Sequence, residues 1–216
     1  MQAQNLHLFS LIVFSTLQLY IEKDYSMNTE LILNTGIQNI ATVYGGVRGT
    51  TLSSRHNMRH WQTVVDSGVR TIIELRDEDH SDRLCRMCET YGIRYFAFPM
   101  DSQSVPNEVI ASRLTEFFEL VDNGDFYIAC AMGLHRTDMA LSIYWMFHGA
   151  DNGMKPPILR GHIADEKLVL DRLNNKVFRR LNSLYAYLVA NNIIPVPDCE
   201  TFAQRKRDLI YFNRNI

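Results

Sequence analysis

Short apolar strands alternate with amphipathic helices along most of this chain. Residues 69–75, 93–98 and 126–130 are rich in β-branched and aromatic residues and have the length of buried strands. The segments 53–67 and 80–91 carry apolar residues at helical spacing, and a glycine follows each of them. Such alternation requires helical crossovers between parallel strands, so it predicts an α/β fold: a single domain whose mainly parallel central sheet is flanked by helices.

The remaining elements are predicted from the same patterns. Residues 41–47 (ATVYGGV) indicate one strand that enters a glycine turn, and Pro106 and Asn107 open a helix. A further helix follows residue 130 and continues to about residue 148. One helix or two are expected between residues 165 and 191, where leucines repeat on one face.

Composition excludes several classes of protein. Hydrophobic residues make up 46% of the 216, which excludes a disordered chain. Lys and Arg number 22 against 24 Asp and Glu, a net charge of −2, which argues against a nucleic-acid partner or an anionic membrane surface. No apolar run reaches the 18 or so residues of a membrane span. Four cysteines are too few for a disulfide scaffold and fit a reducing compartment, so we expect a cytoplasmic protein.

The N-terminal segment is the only part that resembles a targeting signal. Residues 6–20 are apolar, but polar residues interrupt them and the first basic residue is Lys23. We expect residues 1–30 to be an extension of uncertain role and residues 31–216 to form the domain. Export is the alternative, should residues 1–26 act as a signal.

Residues 130–137 read Cys-Ala-Met-Gly-Leu-His-Arg-Thr and lie where the 126–130 strand leads into a helix. A tight loop at such a junction can turn its N–H groups toward an anion, and the helix dipole adds to the attraction. Gly133 frees the backbone, Arg136 offers a planar fork of donors, and the positive field favours the thiolate of Cys130. We therefore predict a nucleophile at Cys130, with Thr137 donating to it, and a phosphate-binding loop formed by Ala131, Met132, Gly133, Leu134, His135 and Arg136.

The bare spacing of Cys and Arg in this motif is weak evidence, because it occurs three times. Cys88 precedes Arg94, and Cys199 precedes Arg205, by the same six positions. Cys130 alone combines a preceding strand, a central glycine, a hydroxyl after the arginine and a following helix. The alternative for Cys130 is a buried cysteine at a strand end with its arginine in a structural ion pair.

With these residues placed, the chain resembles the cysteine-based protein tyrosine phosphatase superfamily, most of all its small atypical dual-specificity branch. The family's loop reads His-Cys-x-x-Gly-x-x-Arg-Ser/Thr, often followed by Gly, and Cys130, Gly133, Arg136 and Thr137 match it. VYGGVRGT, GVRTIIELRDE and YGIRYFAFPMD resemble the family's upstream segments, and the resemblance covers about residues 38–190. It implies a phosphomonoester hydrolase that works through a phosphocysteine, with no metal and no cofactor.

Two positions depart from the family pattern. Ala129 stands where the family has a histidine that helps to organise the loop, and Asp138 stands where it often has glycine. A carboxylate there would repel a bound dianion if it pointed into the site. A catalytically weakened or non-catalytic phosphate-binding relative is therefore an alternative.

The resemblance also implies a general acid on a loop before the 126–130 strand. Asp101 follows a predicted strand and precedes a helix, 29 residues before Cys130, and is our candidate. Asp77 and Asp79 are the next candidates, and Asp138 is a more distant one. Arg48 and Arg76, near predicted strand ends, are expected either to flank the pocket or to form structural ion pairs.

The predicted loop also bears on the substrate. Apart from Arg136 and His135 it has no basic side chain, which favours a single phosphate on a protein or a small phosphomonoester. Phosphotyrosine is expected first, then phosphoserine or phosphothreonine. An inositol (pyro)phosphate remains an alternative substrate because the atypical branch includes such enzymes. Rhodanese-like sulfur transfer also uses a cysteine loop, although Arg136 followed by Thr137 disfavours it.

Overall fold

The computed structural model describes residues 27–76, 81–100, 110–162 and 168–216. The strands are β1 (Ala41–Val43), β2 (Gly46–Thr50), β3 (Thr71–Glu74), β4 (Arg94–Ala97) and β5 (Phe126–Cys130). The α-helices are α1 (Thr29–Leu33), α2 (Arg55–Met58), α3 (Trp61–Asp66), α4 (Ser81–Tyr91), α5 (Leu114–Asp122), α6 (His135–Tyr144), α7 (Leu168–Asn191) and α8 (Cys199–Arg214). A π-helical turn (Trp145–Gly149) continues α6, and Arg160–His162 form a 3₁₀ turn.

The five strands form one sheet in the order β1-β2-β5-β3-β4. Only β1 and β2 pair antiparallel, while β2, β5, β3 and β4 run parallel. The predicted fold class, a single α/β domain with a mainly parallel sheet, is confirmed. Because β5 is central, the carboxyl ends of both its neighbours lie beside Cys130.

Both faces of the sheet are buried. Alternate residues of β5 point to opposite faces: Phe126, Ile128 and Cys130 join the core that packs against α5 to α8, while Tyr127 and Ala129 join the core that includes α3 and α4. Burial on both faces explains why β5 reads as an unbroken apolar run. Within the described ranges, no helix is both long and apolar enough to span a bilayer.

Residues 41–47 were predicted to be a strand that enters a glycine turn; the strand and the turn are present, but the strand ends at Val43 and the turn joins it to a second strand in a hairpin. Val43 pairs with Gly46, and the two residues between them have positive φ: +47° for Tyr44 and +76° for Gly45. Two such residues form the tight turn whose twist matches antiparallel strands. Tyrosine rarely takes this conformation, so the residue types do not predict that the turn begins at Tyr44.

The helices differ from prediction mainly at their ends. Ser54 caps a helix as expected, accepting from the N–H of Asn57, but the predicted 53–67 helix is two short ones, α2 and α3. The helix predicted to reach residue 148 changes to π geometry at Trp145. The expected start of a helix at Pro106 and Asn107 lies outside the described residues, as does the expected extension up to residue 26.

Candidate active site

Cys130 is the last residue of β5 and is 4% exposed. It lies opposite Thr50 of β2, and its carbonyl accepts from the N–H of Thr51 at 3.0 Å. On the other side, the N–H of Leu75 donates to the carbonyl of Ala129 at 2.8 Å. The loop that follows, residues 130–137, is called the Cys130 loop below. The chains that leave the two neighbouring strands thus hold Cys130 and the residue before it, one from each side.

The carbonyl oxygens of the Cys130 loop are bonded to the surrounding scaffold. The carbonyl of Met132 accepts from Asn39 Nδ2 at 2.8 Å, and that of Gly133 accepts from Arg48 Nη2 at 2.8 Å. The carbonyl of Leu134 accepts from the N–H of Asp138 at 2.7 Å. These bonds hold the carbonyl ends of the loop against the rest of the fold.

Three N–H groups of the same loop are unused within the described residues. Those of Ala131, Met132 and Leu134 have no acceptor among the described residues. Leu134 is the N-cap of α6, with φ −114° and ψ −94°, and no side chain caps that helix. Unpaired loop N–H groups followed by an uncapped helix N-terminus make a site suited to an anion.

Gly133 cannot be replaced without moving backbone atoms. Its φ is +65°, and a Cβ on it would lie 2.3 Å from the carbonyl carbon and oxygen of Gly49. The predicted need for glycine at this position therefore has two causes, the left-handed backbone and the close approach of β2.

A buried ion pair between Arg48 and Asp138 supports the Cys130 loop. Arg48 Nη2 lies 2.5 Å from Asp138 Oδ1, and both side chains are almost completely buried. Asp138 also accepts from the N–H groups of Gly161 at 2.8 Å and Arg160 at 3.2 Å. Burial raises the pKa of Asp138, while the Arg48 guanidinium acts in the opposite direction. The carboxylate that could have repelled an anion is instead engaged with Arg48 and the 160–161 backbone.

Arg136, in the Cys130 loop, contacts the chain that leads into the predicted acid loop. Its Nη1 donates to the carbonyl of Met100 at 3.2 Å. Met100 immediately precedes Asp101 in the sequence. Asp101 itself, and the alternatives Asp77 and Asp79, lie outside the described residues. The contact nevertheless brings the chain just before Asp101 to the predicted phosphate-binding arginine.

Thr137 and His135 lie on the first turn of α6. The hydroxyl of Thr137 is buried and, in the described part of the chain, has no hydrogen-bond partner, the sulfur of Cys130 included. The expected hydrogen bond from Thr137 to Cys130 is therefore not formed in this structure. His135 is exposed, and the turn at Gly161 packs close to its ring.

Ala129 leaves the position of the family's histidine without a polar side chain, and a tyrosine two residues earlier lies on the same face of β5. The hydroxyl of Tyr127 donates to the carbonyl of Thr50 at 2.7 Å. A Cβ on Gly49 would lie 2.3 Å from this hydroxyl. Tyr127 thus fills the space beside Ala129 and bonds to the residue opposite Cys130.

The other two Cys–Arg pairs of the same spacing have structural surroundings. Cys88 lies in the middle of α4, and Cys199 is the first residue of α8. Arg205 donates to the carbonyl of Met146 and pairs with Asp151. The expectation that only Cys130 stands between a strand and a helix is confirmed.

The sequence allowed two positions for Arg48 and Arg76: beside the pocket, or in structural ion pairs. Both form ion pairs: Arg48 with Asp138, and Arg76 Nε with Glu74 Oε1 at 3.0 Å. A basic residue in the middle of the buried stretch GVRGT signals a buried acidic partner, although the sequence does not identify which one.

No protein-family model matches the chain, and no curated protein sequence matches it either. Solved structures do match. A DUF442 protein from Shewanella putrefaciens CN-32 is 17% identical, with a TM-score of 0.51, covering 70% of this chain and 92% of that chain.

Two further structures are similar over most of their length. The catalytic core of the PP-IP phosphatase SIW14 from S. cerevisiae is 14% identical, covering 75% of this chain and 98% of that chain, with a TM-score of 0.42. TpbA from P. aeruginosa is 13% identical, covering 79% of this chain and 84% of that chain, with a TM-score of 0.38. At these identities the likeness shows a shared fold and nothing further.

Proposed function

We propose that this protein is a metal-independent phosphomonoester hydrolase that acts through a phosphocysteine on Cys130. The observation that carries the proposal is the polarity of the Cys130 loop. Its carbonyls are bonded to the scaffold, while the N–H groups of Ala131, Met132 and Leu134 are unused at the start of α6. A phosphate dianion is the ligand that satisfies such donors.

The proposed reaction has two steps. The Cys130 thiolate attacks phosphorus in line, the P–O ester bond breaks, and Asp101 gives its proton to the leaving oxygen. Asp101, now a carboxylate, takes a proton from water; the resulting hydroxide attacks phosphorus and releases phosphate as the S–P bond breaks. Arg136 holds two phosphate oxygens through its planar fork.

Thr137 has a role in the second step of this proposal. Its buried hydroxyl lacks a partner, and a buried unpaired polar group costs about 1–3 kcal/mol. A hydrogen bond donated to the departing Cys130 thiolate would remove that cost at the moment when negative charge returns to sulfur. The orphaned hydroxyl lies one residue after Arg136 and so supports this assignment.

The substrate class follows from the side chains of the loop. Ala131, Met132 and Leu134 are apolar, which supports a protein tyrosine or dual-specificity phosphatase acting on a single phosphate. The alternatives are an inositol (pyro)phosphate phosphatase and a non-catalytic phosphate-binding protein. The partner is thus a phosphorylated protein or a small phosphomonoester, in a protein that we place in the cytoplasm.

The decisive experiment is turnover of phenyl phosphate by purified protein in EDTA. Wild type is expected to release phosphate, Cys130→Ser to be inactive, and Asp101→Asn to be slower by about 10²–10⁴-fold, the usual contribution of a general acid. Cys199→Ser is the matched control, because Cys199 has the same spacing to an arginine, and it should keep full activity.

Other outcomes would point elsewhere. A large loss in Asp77→Asn or Asp79→Asn, with Asp101→Asn unaffected, would move the general acid to the loop after β3. Vanadate binding without any turnover would indicate a phosphate-recognition protein. Transfer of sulfur from thiosulfate to cyanide, without phosphatase activity, would favour the rhodanese-like alternative.

A further inference from the structure

An open cleft of about 420 Å³ lies at the carboxyl edge of the sheet, between the start of α2 and the exposed face of α4. Among the described residues, its lining consists of three arginines, Arg76, Arg83 and Arg86, together with hydroxyl side chains and the acid Asp82. We call it the arginine cleft. Its lining contrasts with the Cys130 loop, whose side chains are mostly apolar.

The arginine cleft adjoins the Cys130 loop through two strands. Thr51 lines the cleft, and its N–H donates to the carbonyl of Cys130 at 3.0 Å. On the other side, Arg76 follows Leu75, whose N–H donates to the carbonyl of Ala129 at 2.8 Å. The cleft and the Cys130 loop therefore lie at the same carboxyl edge of the sheet.

Arg76 is held in place before any ligand binds. Its Nε lies 3.0 Å from Glu74 Oε1, and its Nη2 donates to Ser53 Oγ at 2.7 Å. The Thr51 hydroxyl donates to the other oxygen of Glu74 at 2.8 Å, so the carboxylate is occupied. The Nη1 group of Arg76 has no hydrogen-bond partner in the described part of the chain, so it is available to a ligand.

Arg83 and Arg86 add charge that the described structure does not balance. They are three residues apart on α4, so they share a face of the helix, and both are exposed. Neither has an acidic partner within the described ranges. Two like charges at this spacing destabilise a helix, and a multiply charged anion between them would remove that repulsion.

We propose that the arginine cleft binds a second phosphate group of a substrate whose first phosphate lies in the Cys130 loop. This inference rests on the proposed phosphatase reaction, and among the substrates considered there it favours a small molecule with two or more phosphates over a protein with a single phosphate. The guanidinium groups of Arg83 and Arg86 can each present two parallel N–H donors to phosphate oxygens, and Arg76 Nη1 can donate beside them. The cleft thus supplies, from α4 and the end of β3, the positive charge that the loop side chains lack.

The test measures binding separately from turnover. α,ω-Alkanediol bisphosphates with two to six carbons, and the matching monophosphates, are titrated calorimetrically into Cys130→Ser protein. At least one bisphosphate should bind ten or more times tighter than its monophosphate. When Arg83→Gln and Arg86→Gln are added to the Cys130→Ser protein, the affinity advantage of the bisphosphate should fall to under twofold, and monophosphate binding should stay unchanged. Glutamine is chosen because it keeps the helix propensity of these exposed sites.

The control pair is Lys206→Gln with Arg207→Gln, which removes two positive charges from a half-buried and an exposed position of α8 on the other face of the sheet. This pair should keep the bisphosphate advantage. No advantage for any bisphosphate, or an advantage that survives the loss of Arg83 and Arg86, overturns the inference. Phenyl phosphate turnover by wild type separates the two proposals. Turnover without a bisphosphate advantage refutes the cleft alone, and a bisphosphate advantage without turnover refutes the phosphatase alone.

Discussion

Asp138→Ala should be among the most damaging single substitutions outside the reacting residues. Asp138 is fully buried and accepts three hydrogen bonds, from Arg48 and from the N–H groups of Arg160 and Gly161. Its removal would leave the Arg48 guanidinium buried without a counter-charge. The acceptors that would remain to the guanidinium are neutral backbone carbonyls, among them those of Gly133 and Ile158, and Arg48 Nε has no acceptor among the described residues.

The expected size follows from this burial. Breaking a buried ion pair by removing one partner costs about 3–5 kcal/mol, because an uncompensated charge stays in the interior. For a chain of this length each kcal/mol lowers Tm by about 2–4 °C, so Tm should fall by at least about 6 °C. Arg48 also holds the Gly133 carbonyl, so vanadate affinity should fall about tenfold, equivalent to one hydrogen bond to a charged group.

Urea denaturation followed by circular dichroism measures the free energy of unfolding, and calorimetry measures vanadate binding. Arg70→Met is the control, since its pair with Asp125 is 3.5 Å long and its side chain is 57% exposed; it should cost no more than about 1 kcal/mol. The double variant Arg48→Met with Asp138→Ala should lose less than the sum of its single variants. Additive losses, or an Asp138→Ala cost as small as that of Arg70→Met, would refute the reasoning.

Three further predictions concern the surroundings of the Cys130 loop. Gly133→Ala should abolish vanadate binding and cost at least about 3 kcal/mol in urea denaturation, whereas Gly153→Ala, at φ +72° in open space, should cost about 1–2 kcal/mol. Tyr127→Phe should lower the free energy of unfolding by about 1–3 kcal/mol, because a buried carbonyl loses its donor. Iodoacetamide at neutral pH should alkylate Cys130 but not Cys88, and peptide mass spectrometry locates the modified residue. Burial raises the pKa of Cys88 to about 12.

Each of these experiments has its own control. Tyr211→Phe should leave stability unchanged, because this side chain is 72% exposed. Vanadate should protect Cys130 from iodoacetamide, and urea should make Cys88 reactive. Equal costs for the two glycine variants would show that β2 does not restrict Gly133. Modification of Cys88 in the native protein would show that α4 opens readily.

Local patterns were enough to predict the elements around Cys130. The bounds of β5 agree with the prediction, because an apolar run between a DNGD turn and a glycine loop has one consistent interpretation. Gly92 ends α4 with φ +66°, as a glycine after a helix commonly does. A glycine turn was predicted after residue 41, but its start at Tyr44 and the strand that follows it were not, since pairing between β1 and β2 rather than residue preference stabilises the left-handed backbone of Tyr44.

The chain order of strand, cysteine loop and helix follows from hydrophobic period and glycine placement, which depend on neighbours in sequence. The partners of that loop depend on folding. Arg48 and Asp138 are 90 residues apart, and Arg48 and Gly133 are 85 apart. Tyr127 reaches Thr50 across 77 residues. The sheet order brings β2 and β3 to either side of β5, and buried charges then pair with whichever opposite charge the packing places within reach. Such pairing has no periodicity along the chain, so it becomes visible only in the folded structure.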